Sequence, residues 1–65
     1  MKISKEKFKI AMARAKVSRD ELAVRSGLNP VSITNLLWRG TCKPATAGKL
    51  AEALEVDVTE ILADE

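Results

Sequence analysis

The chain has 65 residues, 46% hydrophobic and 31% charged, with one Cys, no His and a formal net charge of +2. A chain this short makes one small domain, 1–65, near the lower end of what folds without a staple. A single Cys excludes an intrachain disulfide, and without His no ordinary zinc site can be assembled.

No apolar run approaches the roughly 20 residues that span a bilayer, and the first residues lack the apolar segment of a signal peptide. The expectation is a cytoplasmic protein with no membrane partner, no metal and no cofactor. The small net charge hides an asymmetry. Residues 1–43 carry ten Lys and Arg against three acids, whereas residues 44–65 carry one Lys against six acids. A basic front and an acidic back suit a domain that turns the first towards a polyanion.

In chain order, Ser4 caps a first helix running to about Lys16, in which Phe8, Ala11, Met12 and Ala15 recur at the spacing of a buried stripe. Lys5, Lys7, Lys9, Arg14 and Lys16 fall elsewhere and are expected to be solvated, with one or two near the helix end reaching phosphate, and Val17 is expected to complete the core from the link. Ser18 with Glu21 three residues on reads as a capping box, each side chain satisfying a free backbone N–H. A second helix therefore runs from Arg19 to about Ser26 and closes at Gly27. Asn29 is a second N-cap and Pro30 suits the first helical position, so a third helix extends to Trp38 or Arg39 and ends at Gly40.

So short a turn forces steep crossing and close packing. Leu22 and Ala23 face Ile33 and Leu36, with Leu28 in the turn, and Ala23 admits no larger side chain. The layout is that of a helix-turn-helix. Leu37 joins the inner face of the third helix. Trp38, at its end, is expected to cover the core edge with its ring, the alternative being a ring stacked on sugar-phosphate. Cys42 lies in the loop TCKP as an inert, partly exposed thiol.

A fourth helix starts at Pro44 or Thr46 and ends near Glu55, with Ala47, Leu50, Ala51 and Leu54 inward. Gly48, worth about 1 kcal/mol less than Ala in a helix interior, would admit close approach of another helix. Asp57 and Glu60 repeat the capping-box pattern before a short fifth helix, Val58 to about Ala63. Val56, Val58, Ile61 and Leu62 are expected to pack on the first helix.

The run Leu22-Ala23, Gly27, Ile33 and Leu36, with the later Ala51-Glu52-Ala53-Leu54, Val56 and Val58 to Leu62, resembles the Cro/repressor-type (XRE-like) helix-turn-helix family of phage and bacterial transcriptional regulators. The likeness runs from about Phe8 to Leu62. It implies an all-α, lambda-repressor-like DNA-binding domain of five short helices. The chain departs from it in a paired way: many phage repressors carry an Arg at the position of Met12 and a Glu at that of Leu37, and both are apolar here. Replacing both partners of a buried ion pair is often neutral or stabilising, so Met12 and Leu37 are expected to touch.

Base contacts by resemblance fall on Pro30, Val31, Thr34 and Asn35, with Ser32 close by. Asn35 is the strongest, since a carboxamide pairs with N6 and N7 of adenine. Pro30 and Val31, where family members often have Gln, offer apolar contact to a thymine methyl. Arg19, Arg25, Asn29, Arg39, Thr41 and Lys43 are the expected phosphate contacts.

The function implied is a sequence-specific regulator of transcription, a repressor acting by operator occupancy. Its partner would be double-stranded DNA, bound as a homodimer, with no small-molecule ligand. The rival is a protein-binding module, such as an antitoxin or modulator that kept the fold. An enzyme is disfavoured, because no His, no Cys-based pair, no phosphate-cradling loop and no cleft carboxylate pair is present.

Overall fold

Four stops in the left-handed backbone region divide the chain: Lys16 (φ 57°), Gly27 (φ 74°), Gly40 (φ 74°) and Glu55 (φ 58°). The computed structural model describes residues 1–63. Between the stops lie α1 (Lys5–Ala15), α2 (Arg19–Ser26), α3 (Pro30–Arg39) and α4 (Pro44–Leu54), followed by a 3-10 helix, Val58–Glu60. The protein is all-helical, with four α-helices among the described residues rather than five. No helix among the described residues is long and apolar enough to cross a membrane.

The caps explain most boundaries. Ser4 Oγ accepts from the Lys7 N–H at 3.2 Å, Ser18 Oγ from Glu21 at 3.2 Å and Asn29 Oδ1 from Val31 at 2.8 Å. The expected box at Ser18 is only half formed. The Glu21 carboxylate turns away to Arg25 Nη2, 2.9 Å distant, because an Arg one turn later on the same face competes for it. The second box is complete, with Asp57 accepting from Thr59 N–H at 2.9 Å and Glu60 Oε2 accepting from Asp57 N–H at 3.4 Å. α4 starts at Pro44 without a side-chain cap bond.

The last helix is cut short for a physical reason. The amides of Glu60 and Ile61 bond to Asp57 and Val58 carbonyls at 2.9 and 3.1 Å, closing one 3-10 turn. Beyond it the backbone is committed elsewhere. Ile61 O accepts from Ser4 N–H at 3.0 Å, and Ala63 N–H donates to Lys2 O at 3.0 Å. Leu62 and Ile3 form an antiparallel bridge, so the chain cannot continue its helical ladder.

The sequence reading gave no role to residues 1–3. They run as a strap between this closing segment and the loop after α3. Ile3 N–H donates to Gly40 O at 2.8 Å and Cys42 N–H to Met1 O at 3.0 Å, beside a Lys2–Thr41 bridge.

Beneath the strap the core is continuous. Phe8, Leu22, Ile33, Leu50 and Ile61 are fully buried, joined by Ile3, Ala11, Val17, Ala23, Leu36, Ala51 and Leu54. α2 packs against both α3 and α4, and the 3-10 helix packs against α1 and α4, as the apolar closing segment requires. Ala23 is buried, as so short a turn demands. Met12 and Leu37 both border this core, half-buried. Gly48 serves no close approach: it is exposed, and a Cβ added there would meet nothing within 4 Å.

Candidate nucleic-acid interface

α3 owes its position to its two ends. Asn29 and Pro30 fix where it starts, and Gly40, whose N–H donates to Leu36 O at 2.7 Å, fixes where it stops. Ile33 and Leu36 anchor its inner face. The remaining positions divide between two flanks, each of which borders a hollow.

On one flank Ser32, Asn35 and Arg39, one helical turn apart in sequence, line a hollow of about 360 Å³ together with Thr41, Lys43 and Thr46. Leu28, Leu36 and Cys42 form its apolar floor. On the other flank Thr34, Leu37 and Trp38 line a hollow of about 300 Å³ with Lys5 and Lys9 of α1 and Arg19 of α2. Among the described residues, five cations border the two hollows and no carboxylate does. Among the described residues neither Arg39 nor Lys43 has an ion-pair partner. A third hollow, away from α3, does carry an acid, Glu60, which pairs with Arg14 at 3.3 Å.

The sequence-expected residues therefore do not all face one way. Ser32 and Asn35 share a flank with Arg39, Thr41 and Lys43, and all of them are exposed. Thr34 lies on the opposite flank. Val31 is exposed, whereas Pro30 is half-buried. Asn29 is exposed but its carbonyl oxygen is engaged as the cap. Arg25 is held by Glu21.

Arg19 sits where the two helices meet: its Nη1 donates to Thr34 Oγ1 at 2.8 Å, and that hydroxyl donates to Pro30 O at 3.1 Å. Its Nε lies 3.8 Å from Asp20 Oδ1, beyond a hydrogen bond.

Trp38 overturns its sequence expectation. It is 83% exposed rather than folded over the core edge. Ile33, Leu36 and Leu37 already occupy the inner face, and Trp38 follows Thr34 by one turn on the outer flank. The Lys5 and Lys9 side chains, read from sequence as solvated, border the same hollow. Their i, i+4 spacing was the available signal, but nothing in it says which helix lies opposite.

Cys42 is half-buried, and burial pushes its thiol above the ordinary value, against the smaller pull of the N-terminal ammonium and the Ala47 amide. A raised thiol is a poor nucleophile. Among the described residues no group of three or more His, Cys, Asp and Glu is placed to hold a metal ion.

These features define an all-helical domain with one cation-flanked helix as its candidate binding element. No family model matches the chain, and no curated protein does. Two solved structures are similar: native PhpD with cadmium atoms, and PhpD with cadmium complexed with hydroethylphosphonate. Each is 33% identical with a TM-score of 0.82, over 98% of this chain and 14% of the PhpD chain. The chain thus resembles a small part of a much longer protein.

Proposed function

We propose that α2, the Gly27 turn and α3 act as a helix-turn-helix of the Cro/repressor (XRE-like) kind, and that the protein is a sequence-specific regulator of transcription. α3 enters the major groove of double-stranded DNA, and the bound protein represses by occupying its operator, in the cytoplasm of a bacterium or in a phage-infected one. The observation that carries this reading is the pair of hollows flanking α3, bordered among the described residues by five cations and no carboxylate. A duplex presents phosphates on both sides of its groove, so a reading helix needs positive charge on both flanks.

Asn35, exposed beside Arg39 and Lys43, is placed to read adenine from a flank that also holds phosphate. A module this small buries a modest interface, so a homodimer on a palindrome with half-sites about 34–36 Å apart supplies useful affinity.

Selection of bound sites from random duplex DNA tests the reading. A palindrome should be enriched, and affinity should fall steeply with salt, with a slope reporting several phosphates. No enrichment together with a flat salt response would end it.

The rival, a protein-binding module, draws on one observation: Val31 at 64% and Trp38 at 83% exposure on the same helix. Exposed apolar groups on one element fit a protein partner as well as a groove. A salt-insensitive partner displaced by Trp38→Ala would favour that reading.

A further inference from the structure

We infer that Arg19 reads a guanine and that Thr34 is the residue that holds it in place to do so. The inference rests on the DNA-binding reading and deepens it, reversing the expectation that Arg19 holds phosphate while Thr34 touches a base.

The hydrogen bonds decide the roles. The Thr34 hydroxyl donates its only proton to Pro30 O at 3.1 Å and accepts from Arg19 Nη1 at 2.8 Å. One acceptor lone pair is left, and no donor. Such a group discriminates poorly at a base edge. Arg19, by contrast, commits one of its N–H groups to Thr34, and its side chain is 53% exposed. Although Arg19 begins α2, its guanidinium lies on the outer flank of α3.

A planar fork fixed at one corner presents its remaining donors in a set direction. That geometry matches the paired acceptors O6 and N7 of guanine. The same fork also fits the paired oxygens of a phosphate, but Lys5 and Lys9 already bring charge for a phosphate to the same hollow.

The test is site selection from random duplex DNA with the full chain, the Arg19→Lys variant and the Thr34→Val variant. Arg19→Lys keeps the charge and loses the fork; Thr34→Val keeps the shape and loses the hydrogen bond. Both positions are exposed, and thermal melts of the two variants are run alongside to check that each folds. The unaltered chain should require guanine at one position of each half-site. Both variants should lower discrimination at that same position by about 10- to 100-fold, with preferences elsewhere unchanged.

Uniform weakening across all sequences, or guanine preference retained in either variant, would overturn the inference while leaving the DNA-binding reading in place. If the unaltered chain enriched no sequence, the reading itself would fall and this inference with it.

Discussion

The backbone N–H of Ser4 donates to the carbonyl of Ile61 at 3.0 Å, so the segment entering α1 is fastened to the segment leaving the 3-10 helix. Ile61 is fully buried at this closure, and Ile3 is nearly so. The N-cap of α1 and the segment leaving the 3-10 helix are thereby one structural unit.

Ile61→Ala should accordingly destabilise the whole domain and not fray one end. Removing a fully buried Ile side chain costs about 2–5 kcal/mol, a large part of what a 65-residue domain has. The urea midpoint should drop sharply while the transition stays single. A variant that lost the closing segment but kept the α1–α4 transition would contradict the fastening.

Gly48 and Gly27 make an opposed pair. Gly48 lies inside α4 with open space where a Cβ would go, so Gly48→Ala should stabilise by about 0.5–1 kcal/mol through helix propensity. Gly27 has equal space but φ +74°, and Gly27→Ala should destabilise by about 1 kcal/mol through left-handed strain. Denaturant melts of the two variants should move in opposite directions.

How far the sequence could be read follows from the same physics. Ser4, Ser18, Asn29 and Pro30 mark helix starts through chemistry local to a few residues, and those starts were legible. Gly27 and Gly40 marked stops for the same reason. Lys16 and Glu55 take the same left-handed conformation without being glycine, yet the ends they set fell close to where the apolar stripes stopped. The strap of residues 1–3 was not legible, because its partners lie at Gly40, Cys42 and Leu62, far along the chain. The truncated last helix has the same cause. In the candidate interface, residue types could be proposed from the sequence and directions could not. Helical spacing placed Thr34 and Asn35 on one outer face, but the hollows separate them, and only the packing of α2 on α3 brings Arg19 to Thr34.

Asp57 gives a pH dependence of known sign. Hydrogen bonds from the Thr59 backbone N–H, then from its hydroxyl, hold the exposed carboxyl below the ordinary value of 3.8. A depressed carboxyl contributes stability that is fully present above its unfolded pKa and is lost as pH falls through the folded one. Melting temperature should therefore decline as pH drops below about 4, and Asp57→Asn should lower it at pH 7 and flatten part of that decline. An identical acid limb in the variant would show that the cap does not couple to folding.

Trp38 is the single Trp of the chain and stands 83% exposed, which makes it a reporter of both packing and binding. Since its ring covers no core, Trp38→Ala should change stability by less than about 0.5 kcal/mol, and urea unfolding of the unaltered chain should shift its emission little. A loss above about 1 kcal/mol would mean that the ring packs inward after all. Lys5, Lys9 and Arg19 border the same hollow, so under the proposed function a duplex gripped there should cover the indole. Its emission should then change on adding duplex DNA, and the change should reverse as salt rises, because the phosphate grip that covers it is screened.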